Sequence, residues 1–163
     1  MRTDQKWMEE ALVEAEKAME NGELPIGAVV VSEGEEISRA HSRTSREKIT
    51  SEHAEMVGTR KAGNLWVREN ITLYTTLQPC IMCLAAAIRC GVDRVVYAMD
   101  AENEVSTETL PDLEKHGPEI PEVTAGIKEQ ESVNLFERFM GKKDHVARDY
   151  VGELLEPYQY ETG

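Results

Sequence analysis

The stretch from Ile71 to Met99, ITLYTTLQPCIMCLAAAIRCGVDRVVYAM, contains two strand patterns around one helix pattern. Ile71 to Thr76 is rich in β-branched and aromatic residues, and Pro79 suits the start of a helix better than the interior of a strand. Cys80 to Cys90 then reads as a buried helix closed by Gly91, and Arg94 to Met99 as the next strand. Apolar strands separated by a helix imply a sheet covered on both faces.

Working outward, residues 4 to 20 place Trp7, Met8, Ala11, Leu12, Ala15, Ala18 and Met19 at three- and four-residue spacing, which predicts an amphipathic helix ended by Asn21-Gly22. Ile26 to Val31 is an almost wholly apolar strand, turned by Glu33-Gly34-Glu35 into a partner over Glu36 to Ala40. Residues 41 to 50 are polar and irregular. Ser51 is the expected N-cap of a helix over His53 to Lys61. Towards the C-terminus the pattern predicts a helix over Thr107 to Lys115 and a fifth strand over Glu122 to Ile127. Terminal helices follow over Glu131 to Met140 and Asp144 to Leu155, with Leu135, Phe136 and Phe139 in the core.

The 163 residues suffice for one domain over 1–163 with a real core. Hydrophobic residues are 40% and charged residues 30%, which rules out a mainly disordered chain. The longest apolar run, Cys80 to Ile88, is far short of the ~20 residues a bilayer-spanning helix needs, so no membrane partner is expected. No apolar stretch follows the charged start, and a cytoplasmic location is the expectation. The formal net charge is −13, and residues 101–163 carry 15 acidic against 6 basic side chains. Such a balance repels polyphosphate on average, so a nucleic-acid substrate is disfavoured. Arg138, Lys142, Lys143 and Arg148 cluster, but Glu137, Asp144 and Asp149 lie among them, and the group reads as a solvated helix face.

All three cysteines, Cys80, Cys83 and Cys90, lie within one short segment, and an odd count argues for reduced thiols rather than a disulfide framework. A Cys-x-x-Cys pair alone fits a redox pair or half of a structural zinc site. A structural site needs a fourth ligand, and Cys90 is at the far end of the helix while His41 and His116 sit in no ligand-type spacing. Two predicted helix starts, however, carry His53-Ala54-Glu55 and Pro79-Cys80-Ile81-Met82-Cys83. Cys80 and Cys83 share a helix face. With His53 they make three ligands for Zn²⁺, leaving one tetrahedral position for water, as catalytic zinc requires. Two thiolates neutralise the ion and limit how acidic that water becomes, so Glu55 is placed to accept and deliver its proton.

This pattern resembles the signature of the cytidine-deaminase-like superfamily of zinc deaminases. Leu24-Pro25-Ile26-Gly27-Ala28-Val29-Val30-Val31, Leu73 to Cys80 and Gly91 to Tyr97 are similar to the branch holding tRNA adenosine deaminases, guanine deaminases and fungal-type cytosine deaminases. The resemblance implies a three-layer α/β/α sandwich on a five-stranded mixed sheet of order 2-1-3-4-5, commonly as a homodimer. It also implies hydrolytic deamination, with Glu55 moving the water proton to the ring nitrogen and then to the leaving amine. By the same likeness the backbone N–H groups of Ala54 and Cys80 lie near the substrate.

Where relatives carry Asn, this chain has Ser42, whose one hydroxyl cannot replace both donor and acceptor of an amide. Glu52 stands where a small residue is usual and Gln78 where Glu is frequent. Asp149, Tyr150 or Tyr158 is expected to close the pocket. Ser42 leaves the choice of base open, Glu52 either faces the pocket or points into solvent, and the acidic C-terminal third favours a free nucleobase or nucleoside of guanine or cytosine type as substrate, with tRNA adenosine deamination as the alternative. A non-catalytic zinc-stabilised protein is the remaining rival, and Glu55 counts against it, because zinc binding alone needs no carboxylate there.

Overall fold

The computed structural model describes residues 2–101, 119–141 and 147–159. The expected helix over Thr107 to Lys115, together with Lys142, Lys143 and the start of the expected helix at Asp144, lies outside them. In chain order the elements are α1 (Arg2–Glu20), β1 (Gly27–Ser32), β2 (Glu35–His41), α2 (Thr44–Glu47), α3 (Ala54–Ala62), β3 (Ile71–Leu77), α4 (Ile81–Cys90), β4 (Arg94–Met99), β5 (Glu122–Thr124), α5 (Glu129–Met140) and α6 (Arg148–Leu155).

The five strands form one mixed sheet in the order β2-β1-β3-β4-β5. β1 pairs antiparallel with β2 and with β3, whereas β3–β4 and β4–β5 are parallel. Glu33 and Gly34 both take positive φ, 52° and 81°, as a tight hairpin turn between right-twisted strands requires. Alternation along the strands sorts the core. Val29, Val31, Tyr74, Val96 and Ala98 pack on Trp7, Met8 and Ala11 of α1. Ala28, Val30, Leu73 and Val95 face Ala54, Ala62, Leu84, Ala87 and Ile88 of α3 and α4. α5 lies beside α1, tied by Lys128–Glu9 and Arg138–Glu16. The expected core residues Leu135, Phe136 and Phe139 are buried. Gly27 lets α1 approach the sheet closely, since a Cβ there would stand 2.0 Å from the carbonyl oxygen of Ala11.

The structure corrects the sequence reading at three places. Residues 44–47 are helical rather than irregular. The N-cap of α3 is His53, not Ser51. β5 has three residues, because it pairs only with Arg94 to Val96. No described helix is long and apolar enough to cross a membrane.

Candidate zinc and substrate site

β3 delivers the chain through Gln78-Pro79 to Cys80, which occupies the N-cap of α4 with extended backbone, φ −66° and ψ 166°. His53 occupies the N-cap of α3 in nearly the same conformation, φ −67° and ψ 154°. Neither side chain caps its own helix. Both are turned instead towards a common point, where the positive ends of two helix dipoles favour anionic groups. Cys83, one turn into α4, completes the group.

The Nδ1 of His53 lies 3.6 Å from Cys80 Sγ and 3.5 Å from Cys83 Sγ, and the two sulfurs are 3.6 Å apart. A tetrahedral zinc bound at about 2.3 Å by sulfur and about 2.0–2.1 Å by nitrogen needs edges of about 3.8 Å between sulfurs and about 3.5–3.6 Å between sulfur and nitrogen. The three donors therefore fit zinc. Among the described residues no further His, Cys, Asp or Glu joins them. The hydrogen bond with Cys83, and then that with His53, pulls the Cys80 thiol down to about 4. The same sulfur contact, and then burial, pushes Cys83 up. A divalent cation bound here would stabilise both sulfurs as thiolates.

The donors open into a cavity of about 250 Å³. His53, Glu55 and Cys80 line it with the apolar Leu24, Ile26 and Leu77 and the polar Ser42, Thr44, Gln78 and Tyr150. That space suits one planar heterocycle, which a nucleic acid can offer only after turning the base out of its stack. Glu55 is 4% exposed, and its Oε2 has no hydrogen-bond partner among the described residues. Burial pushes its carboxyl above the usual range. An acid so placed has an unmet demand for a proton or a donor.

Of the other residues singled out in the sequence, Ser42 is buried in the lining, with its N–H donated to the Ile26 carbonyl at 3.0 Å. Ala54 is fully buried at the first helical position of α3, where the helix makes no use of its N–H. Asp149 is exposed on α6 and outside the lining, while its neighbour Tyr150 is within it. Tyr158 lies elsewhere, its hydroxyl accepting the Asp100 N–H at 3.0 Å and donating to Glu129 at 3.1 Å. Glu52 neither lines the cavity nor points into solvent; Arg60 holds both its oxygens, at 2.6 and 2.9 Å. Gln78 accepts the Ala101 N–H at 2.9 Å. Thr44 was not legible as a lining residue, because it sits in a polar segment with no periodicity.

Residues 1–99 match the family model of the cytidine and deoxycytidylate deaminase zinc-binding region. The chain is 38% identical over 161 residues to the tRNA-specific adenosine deaminase of Bacillus subtilis, covering 94% of this chain and 100% of that protein. It is 42% identical over 91 residues to the protein of the same name from Aquifex aeolicus, covering 54% of this chain and 60% of the other. A solved structure from a study of A-to-I editing by tRNA:A34 deaminases at the wobble position of transfer RNA superposes with a TM-score of 0.70. It is 34% identical, and the match covers 80% of this chain and 98% of that one. A guanine deaminase from Nitrosomonas europaea, with a TM-score of 0.73, 20% identity and 83% of both chains covered, shares the fold.

These relatives overturn two expectations, that nucleic acid is an unlikely partner and that the substrate is a free nucleobase or nucleoside. The charge argument fails because phosphate responds to the local field, whereas −13 is a sum over the whole chain. Arg43, Arg46 and Lys48 fall within six residues on the segment that lines the cavity; Glu47, paired with Arg46, is the one acid among them, and the nearby Glu52 is engaged by Arg60. The donor geometry and the family match agree: the chain belongs to the cytidine and deoxycytidylate deaminase family and is a zinc-dependent hydrolytic deaminase.

Proposed function

We propose that this protein deaminates adenosine in tRNA, converting it to inosine at the wobble position. The observation that carries the reading is the 38% identity to a tRNA-specific adenosine deaminase along that protein's entire length. The cavity's size for a single base supports it, as do the cations on its bordering segment.

His53, Cys80 and Cys83 would hold the zinc, which when bound supplies Lewis-acid activation of a water. Glu55 is placed to take a proton from a water whose oxygen adds to C6 of the base, and to deliver that proton to N1. The proton left on the added hydroxyl then passes through Glu55 to the exocyclic amine, the C6–N bond breaks as the C6 carbonyl forms, and ammonia leaves with inosine as the product. The high affinity of buried Glu55 for a proton suits an acid that must collect one and hand it on. The N–H groups of Ala54 and Cys80, which their own helices do not use, supply donors beside the reacting centre. Leu24, Ile26 and Leu77 exclude water from the faces of the base.

The test is zinc-loaded protein with an anticodon stem-loop carrying adenosine at the wobble position, read by inosine formation and ammonia release. Inosine is expected with the native chain and none with Glu55→Ala, although Glu55→Ala keeps its zinc. Ammonia from free bases or nucleosides with none from the stem-loop would overturn the reading.

A further inference from the structure

One buried acid outside the zinc centre is engaged with the cavity wall. Glu23, in the turn after α1, is 1% exposed. Its Oε1 accepts the Arg46 N–H at 2.6 Å, and its Oε2 accepts the Ser45 N–H at 3.0 Å and the Thr44 hydroxyl at 3.4 Å. α2 begins here, and its own N-cap, Arg43, provides no side-chain acceptor. Glu23 supplies from 20 residues away what a Ser or Asp would ordinarily supply in place.

The rest of the segment has little else to hold it. Residues 45 to 51 are all exposed, so no apolar burial fixes their path. Its base is pinned by Ser42 N–H to the Ile26 carbonyl at 3.0 Å and by Arg43 N–H to the Glu52 carbonyl at 2.9 Å. Its far part is pinned by Glu23. Between these anchors Ser42 and Thr44 line the cavity.

We propose that Glu23 is a positioning residue for substrate: its carboxylate holds the 42–46 wall so that the Ser42 and Thr44 hydroxyls meet the nucleoside that RNA presents. This rests on the tRNA reading above. With its proton directed at Glu23, the Thr44 hydroxyl offers the cavity lone pairs and therefore takes a hydrogen-bond donor from the substrate. A wall ordered in advance spares the substrate the cost of ordering it. Glu23 makes none of the contacts that join His53, Cys80 and Cys83, so its loss acts on binding before chemistry.

Glu23→Gln keeps the size but turns an NH₂ group towards backbone N–H donors, which breaks at least one of the bonds. The expected result on the wobble-adenosine stem-loop is a KM raised about fivefold or more, with kcat within about twofold and zinc content unchanged. Hydrogen exchange at the Ser45 and Arg46 amides should accelerate in the same protein. Thr44→Val, which leaves both amide bonds in place, should raise KM without changing that exchange and serves if Glu23→Gln does not fold. Unchanged exchange in Glu23→Gln, or faster exchange with an unaltered KM, would overturn the proposal, as would an unaltered KM in Thr44→Val. A native chain inactive on the stem-loop sinks the tRNA reading instead, and the exchange comparison, which needs no substrate, still decides the clamp.

Discussion

The molecule buries acids in two contrasting surroundings. Asp4, in the first turn of α1, receives the Arg94 guanidinium at 2.7 and 3.2 Å and the Tyr74 hydroxyl at 2.8 Å. The bond from Arg94 outweighs burial and, with help from Tyr74, holds the Asp4 carboxyl below its ordinary value. Burial and the neighbouring Asp4 in turn push the Tyr74 phenol up. Glu55, opening α3, has an oxygen with no partner, and burial moves its carboxyl the other way. The difference separates scaffold from chemistry. A buried carboxylate whose lone pairs are met joins α1 to β3 and β4, whereas one left unmet costs stability and stands ready to exchange a proton with whatever enters the cavity.

The contrast breaks most severely at Glu55. Glu55→Gln should lower deamination by about 10²–10⁴-fold while the Tm stays level or rises, because an unpartnered buried acid is replaced by a neutral group of the same shape. Turnover close to native, with zinc content checked in parallel, would remove Glu55 from the chemistry. Asp4→Asn should give the reverse profile. Urea unfolding should show a loss of about 1–3 kcal/mol, with turnover per folded molecule unchanged.

Acid sharpens the comparison further. Because Asp4 is lowered from 3.8 on folding, its contribution is complete above that value and is lost as the pH falls through the lower folded value. The gap between native and Asp4→Asn urea midpoints should therefore narrow as the pH falls below 3.8, and a constant gap would contradict the assignment. Glu52, clasped by the largely exposed Arg60, supplies the intermediate case. Water can take the guanidinium's place, so Arg60→Ala should shift unfolding by less than Asp4→Asn does. A larger shift would show that Glu52 belongs with Asp4.

Much of this was legible from local pattern. The strand-helix-strand unit from Ile71 to Met99 and the hairpin at Glu33-Gly34 appear within about a residue of their expected bounds, because alternation, helical spacing and turn chemistry are short-range signals. Ser51 was misread as an N-cap because capping preference is statistical, whereas His53 takes that position with its side chain committed across the fold. The substrate class was misread for a related reason. Net charge averages over the surface, and it cannot tell that Glu14 and Glu23 are buried while Arg46 and Lys48 are exposed beside the cavity.

The sequence by itself determined which side chains share a helical turn: His53 with Glu55, and Cys80 with Cys83. Such placement follows from the 3.6-residue repeat and needs no knowledge of the rest of the chain. Only the tertiary structure decided that Nδ1 of His53 meets sulfurs 27 and 30 residues away at 3.6 and 3.5 Å, that Glu55 keeps an oxygen unpaired, and that Glu23 spans 20-odd residues to hold the cavity wall. Those distances come from how the sheet and its helices pack, and packing sums contacts that no local window contains.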